Sequence, residues 1–177
     1  LRACITSGGA ADELVTANDK FRKLLFEENS FPFGDNGDNL NIKFFATDKD
    51  SYSNRCIVTN QWEYPRKSKE GGKRLDLVYV INGIPMVIGE AKTPVNPSVT
   101  WADGAADIMH YQKSLPEMFV PNILTFASEG RALQYAGIGC PLDKWGPWFA
   151  DEDRKHGTLE DVEHNYISLM TPERLLD

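Results

Sequence analysis

RLDLVYVINGIPMVIGEAKTP, residues Arg74 to Pro94, decides the reading of this chain. Leu75 to Ile81 is rich in β-formers and largely apolar on both faces, as a strand buried on both sides requires. Asn82-Gly83 is the strongest short hairpin signal a sequence offers. Pro85 to Gly89 is apolar again, and then Glu90 and Lys92 follow, one residue apart. Residues i and i+2 of a strand point to one face, so these two share a side. A turn centred on Gly83 sets Asp76 opposite Glu90, within a residue or so of register, and directly opposed residues share a face. One hairpin thus gathers Asp76, Glu90 and Lys92 into a small volume.

Two carboxylates and an ammonium at the ends of buried strands are costly unless something compensates them. Carboxylate oxygens and backbone carbonyls suit Mg²⁺ or Mn²⁺, with the lysine beside the metal and not on it. The plain alternative is a set of solvated strand-end charges. A D…E-x-K spacing arises by chance in many sequences, and the strand–Asn-Gly–strand setting is what gives it weight here.

The hairpin resembles the active-site hairpin of the PD-(D/E)xK nuclease superfamily. Together with SNRCIVTNQWEY (Ser53–Tyr64) and the segment Val99–Gly137, it resembles the N-terminal nuclease domain of the restriction (R, or HsdR) subunit of type I restriction–modification enzymes. The likeness runs from about Asn18 to Trp148. It implies an α/β fold, a mixed central β-sheet flanked by helices. It implies Asp76 and Glu90 as metal-binding carboxylates, joined by the Ala91 carbonyl, and Lys92 as the catalytic lysine. The family's Q-x-x-x-Y helix reads Asp107-Ile-Met-His-Tyr111 here: Tyr111 matches, and Asp107 stands where Gln is usual. An acidic residue on the first helix often supports such a site, and Glu13 is the candidate.

The chain has 177 residues, 41% hydrophobic and 25% charged, enough for one globular core and too short for two large domains. Family R subunits are much longer, with an ATP-driven motor after the nuclease. No G-x-x-x-x-G-K-[ST] loop occurs here, so residues 1–177 read as a single nuclease domain, a fragment of a longer R subunit. The ending TPERLLD resembles the helix that leads toward that motor. ATP is expected only with the motor domains. The net charge of −7 argues against a freestanding high-affinity DNA binder, since such affinity comes from Lys and Arg neutralising phosphates. Weak cleavage by the domain alone is the expectation. Cys4, Cys56 and Cys140 form no C-x-x-C pattern, and His110, His156 and His164 form no ligand spacing. His110 reads as an ordinary helix-surface residue. No apolar run reaches the roughly 20 residues of a membrane span, and no signal peptide is visible, so a cytoplasmic protein is expected.

Along the chain, Ala10–Glu28 carries Leu14, Ala17, Phe21, Leu24 and Leu25 at helical spacing. Ser30–Leu40 reads as a loop. Its Asp35 and Asp38 lack the spacing of a calcium loop. Asn41–Thr47 and Arg55–Tyr64 read as strands, joined by the polar turn Asp48–Asn54. In the second, Gln61 and Glu63 face one side and Asn60 and Trp62 the other; which pair faces the site stays open, and Trp62 reads as packing. RKSKEGGKR (Arg66–Arg74) is the one basic cluster. Arg66, Lys67, Lys69, Lys73 and Arg74 read either as phosphate contacts near a scissile bond or as a solvated hairpin tip. Trp101–Met118 reads as a helix stopped or kinked at Pro116. Asn122–Ala127 and Arg131–Ala136 are strands around a Ser128–Gly130 turn. Gly137–Pro147 is irregular, anchored by Trp145 and Trp148. Thr158 and Asp161 can cap a short helix.

The expected function is metal-dependent hydrolysis of double-stranded DNA without sequence specificity. The resemblance implies that modification (M) and specificity (S) subunits supply recognition, and that remote DNA is cut once translocation stalls. Two rivals stand beside it. One is a docking module of the same fold that has lost catalysis; the other is a repair or recombination nuclease of the superfamily.

Overall fold

A computed structural model describes residues 11–26, 30–33, 35–46, 53–64 and 72–176. Its centre is a six-stranded sheet in simple spatial order: β3 (Cys56–Tyr64), β4 (Lys73–Ile81), β5 (Ile84–Ala91), β6 (Leu124–Ser128), β7 (Leu133–Ala136) and β8 (Gly146–Pro147). Only β5 and β6 run parallel; every other pair is antiparallel. The expected α/β class, a mixed sheet with helices against it, is what the chain adopts. A parallel pair needs a crossover, and α2 (Trp101–Ser114) supplies it. Thr100 and Asp103 cap that helix reciprocally. Pro116 ends the run, and α3 (Pro116–Phe119) follows as a single turn.

The two faces of the sheet are covered differently. Gly104 of α2 comes so close that an added Cβ would lie 3.2 Å from the Ala127 Cβ and 3.5 Å from the Glu90 Cβ. The helix α1 (Ala11–Phe26) buries Leu14, Ala17, Phe21 and Leu25, the stripe its spacing predicts. It is tied down where Asn18 Nδ2 donates to the carbonyls of Val120 and Asn122 at 2.8 and 2.7 Å. On the opposite face, Tyr166 of α4 (Leu159–Leu169) meets Tyr79 and Phe126 edge-on. Thr158 and Asp161 form the expected capping box. A last turn, α5 (Pro172–Leu175), buries Leu175 and Leu176.

Gly137–Pro147, expected to be irregular, ends in β8, which pairs with β7, and two further segments depart from expectation. Ser30–Leu40 is not a loop: β1 (Ser30–Phe33) and β2 (Asp38–Asn41) form a separate two-stranded hairpin around the left-handed Gly37. Its residues are almost all exposed, so no in–out alternation marks it, and Phe31 meets Phe44 edge-on. Conversely, Asn41–Thr47 is not a strand. Only Asn41 belongs to β2, and Thr47 lies outside the described residues. The backbone of Ala46 is satisfied by the Asn54 side chain instead, through both its N–H (2.9 Å) and its C=O (2.6 Å). A side chain takes the place of a partner strand.

Candidate active site

The site is built on the β4–β5 hairpin. Asn82 and Gly83 have φ of 51° and 85°, the paired left-handed residues of a type I′ turn. The turn therefore has two residues, with Ile81 opposite Ile84 and Val80 opposite Pro85. Continued unchanged, that register would set Asp76 against Gly89. A bulge prevents this: Tyr79 pairs with Val87, Leu77 with Gly89, and Met86 is the extra residue. The shifted register sets Asp76 opposite Glu90. The expectation of a turn centred on Gly83 thus describes the far end of the hairpin correctly and its tip incorrectly. The bulge is braced from elsewhere. Asn122 Nδ2 donates to the Pro85 carbonyl at 2.7 Å, and the Ile123 N–H to the Met86 carbonyl at 2.8 Å.

Around this frame the polar groups converge. Asp76 accepts from the Ala91 N–H at 3.1 Å and from the Gln61 side-chain amide at 3.2 Å. Glu90 is 5% exposed, Lys92 Nζ donates to its Oε1 at 3.0 Å, and its buried Oε2 has no partner. Lys92 also donates to Asp107 Oδ2 at 2.5 Å, so it bridges two carboxylates. Burial, opposed by the Lys92 hydrogen bond and reinforced by Asp76 and Asp107, pushes the Glu90 pKa up to about 7. Burial works against the Lys92 charge, but Asp107 and Glu90 outweigh it and hold its pKa above the usual lysine range. Tyr111, one helical turn beyond Asp107, is pushed up to about 12 by burial and then by the charges of Glu90 and Asp107, so its hydroxyl stays protonated.

An orphaned, buried carboxylate oxygen beside a second carboxylate fits a hard divalent cation. Among the described residues no three His, Cys, Asp or Glu side chains converge as a metal cluster. The groups that could hold one are Asp76, Glu90 and the Ala91 carbonyl, while Asp107 is engaged by Lys92.

The other predicted site residues fall as follows. Gln61, not Trp62, takes the Asp76 side of β3; Trp62 is half-buried and packs on the core. His110 is exposed on α2, its ring against Tyr111. Glu13 is exposed on α1. Lys73 and Arg74 begin β4, opposite Tyr64 and Glu63, and are strand residues, not loop. Arg66, Lys67 and Lys69 lie outside the described residues. Sequence reasoning left the role of Gln61 unassigned because the β3–β4 register was unknown. Asp107 was visible, four residues before Tyr111 on the same helix face, but its lysine partner lies fifteen residues away in sequence.

The family profile described as "Type I restriction enzyme R protein N terminus" matches residues 5–137 of this sequence. The chain belongs to that family. It is 29% identical over 171 residues to the "Type I restriction enzyme HindI endonuclease subunit" of Haemophilus influenzae, a match covering 93% of this chain and 16% of that protein. It is 28% identical over 134 residues to the "Putative type I restriction enzyme MjaIXP endonuclease subunit" of Methanocaldococcus jannaschii, covering 75% of this chain and 12% of that protein. The chain thus spans a small part of the relatives it matches. Membership in the type I R-protein family agrees with the resemblance carried by the Asp76–Lys92 hairpin. No helix among the described residues is long and apolar enough to cross a membrane.

Proposed function

We propose that this chain is the metal-dependent endonuclease domain of a type I restriction R subunit and hydrolyses DNA phosphodiesters without sequence specificity. The observation that carries the reading is the orphaned Glu90 Oε2, buried on the same face as Asp76 with the Lys92 ammonium 3.0 Å from Oε1. A divalent cation, Mg²⁺ or Mn²⁺, held by Asp76, Glu90 and the Ala91 carbonyl would supply Lewis-acid polarisation of the phosphoryl oxygen and a more acidic water. The residues of the chain do the rest. Asp76 is oriented by donors from both neighbouring strands. Lys92, kept charged by Asp107 and Glu90, donates toward charge developing on the phosphorus oxygens and orients the attacking water. The Tyr111 hydroxyl, protonated, is a neutral donor at the rim of the site. Lys73 and Arg74, with Arg66, Lys67 and Lys69, are the candidate phosphate contacts.

In the whole protein, an ATP-driven motor would deliver double-stranded DNA to this domain, and M and S subunits would provide recognition. The domain's negative balance accords with delivery by other parts. The test is plasmid cleavage with Mg²⁺ or Mn²⁺ by the chain and by Lys92→Ala. The assay is repeated in the full R subunit with its partners and ATP. Metal-dependent nicking that falls at least about 100-fold in Lys92→Ala supports the assignment. A Lys92→Ala protein that still cuts in the full assembly refutes it. No cleavage by wild type even there would favour the docking module.

A further inference from the structure

We propose that Gln61 is a positioning residue for Asp76, held in a strained backbone conformation so that its side-chain amide fixes the carboxylate for a divalent cation; this rests on the metal site proposed above.

Gln61 sits in the middle of β3, an edge strand of the sheet. Its neighbours pair normally, Asn60 with Leu77 and Trp62 with Leu75. Gln61 itself has φ of 53°, in the left-handed region that non-glycine residues avoid, and strand residues most of all. Such a conformation persists only where its surroundings over-determine it. Satisfying a buried amide is not the reason, because the Gln61 side chain is exposed and water could hydrate it. What the conformation achieves is the 3.2 Å bond from Nε2 to Asp76 Oδ1. The Ala91 N–H holds the other oxygen, Oδ2, at 3.1 Å. The carboxylate is thereby gripped from β3 on one side and β5 on the other. Two of its roughly four lone-pair sites are used, and the others remain for a cation. Without Gln61, the Asp76 carboxylate keeps the hydrogen bond it accepts from the Ala91 N–H and can swing about it, and the loss of that freedom is deferred to the moment of binding.

The test is a calorimetric Mn²⁺ titration of the full chain as wild type, Asp76→Ala, Gln61→Gly and Gln61→Met, with Tm measured for each without metal. Gln61→Gly adopts the left-handed backbone freely and removes the amide. Gln61→Met keeps the side-chain length and removes only the donor. Both are expected to bind Mn²⁺ about five- to tenfold more weakly. The Tm of Gln61→Gly should stay level or rise by up to about 4 °C. Weaker binding without lower stability is a combination that a purely structural residue does not give. Wild-type affinity in either variant, or a Tm that falls in step with affinity in both, overturns the inference. If Asp76→Ala abolishes binding while the Gln61 variants bind as wild type, the inference alone fails. If wild type does not bind, or Asp76→Ala binds normally, the metal-site reading fails and the inference with it.

Discussion

Glu90 concentrates the chemistry of this site at the scale of one residue. Its folded pKa of about 7 stands above the ordinary carboxyl value of 4.5 because burial disfavours the charge. The folded state therefore holds a proton that the unfolded chain has released. This contributes stability that is fully present below about pH 4.5 and is lost as pH rises through 7. In thermal unfolding without metal, wild type should lose Tm across that window relative to Glu90→Gln. Mn²⁺ should raise the wild-type Tm at pH 8 much more than at pH 5, where it must displace the proton. Equal gains at both pH values would contradict the ligand role. Asp107 acts on Lys92 from a side chain that is 47% exposed, so the pair adds little to stability. Asp107→Asn should change unfolding free energy by less than about 1 kcal/mol. Turnover should fall severalfold with an unchanged KM for DNA, because Lys92 loses one of the two anchors that hold its charge. A loss of stability matching the loss of turnover would count against this.

At the scale of the element, the β4–β5 hairpin is a device with one irregularity. Strand side chains alternate with a period of two, so a one-residue slip sends a side chain to the other face. The Asn82-Gly83 turn by itself would oppose Asp76 to Gly89 and separate it from Glu90. The bulge at Met86 corrects this, and Asn122 holds the bulge. Asn122 is 2% exposed and donates both to Pro85 and to the Met118 carbonyl at 3.0 Å. Asn122→Ala leaves two carbonyls short of a donor and should cost about 2–4 kcal/mol in denaturant unfolding. The same variant should weaken Mn²⁺ binding, although Asn122 lies at the opposite end of the strand from the carboxylates. Lost stability with wild-type Mn²⁺ affinity would show that the bulge does not control the register.

Across the whole molecule, the sheet is closed by helices on both faces and by the C-terminal turn. Leu175 and Leu176 are each 6% exposed, and their burial is worth about 3–6 kcal/mol as an upper estimate. Truncation after Met170 should lower stability by an amount approaching that range, measured by denaturant unfolding. A truncated chain as stable as the original would mean that this turn is not part of the core. A cleft around α4 is lined by Asp151, Asp153, Glu160, Asp161 and Glu163, with Lys155 and His164 among them. An acidic lining of this kind repels phosphate. Binding of nonspecific duplex by the chain alone should accordingly be weak and fall further with salt, read by fluorescence anisotropy.

The sequence by itself determined the hairpin, its turn residues, the crossover helix and the placing of Glu90 and Lys92 on one side. Each follows from local signals: apolar runs, Asn-Gly, a capped helical period and i, i+2 spacing. It did not reveal the Ser30–Asn41 hairpin, whose exposed strands carry no alternation, nor the Ala46 backbone pairing, which a distant side chain supplies. Only the tertiary structure decided the facing of Asp76 and Glu90, because the bulge that sets it is braced by Asn122 and Ile123, just before β6. It alone decided that Gln61 meets Asp76 and that Lys92 sits between Glu90 and Asp107. Those contacts depend on how β3 registers against β4 and how α2 lies across β5, and long-range packing selects both.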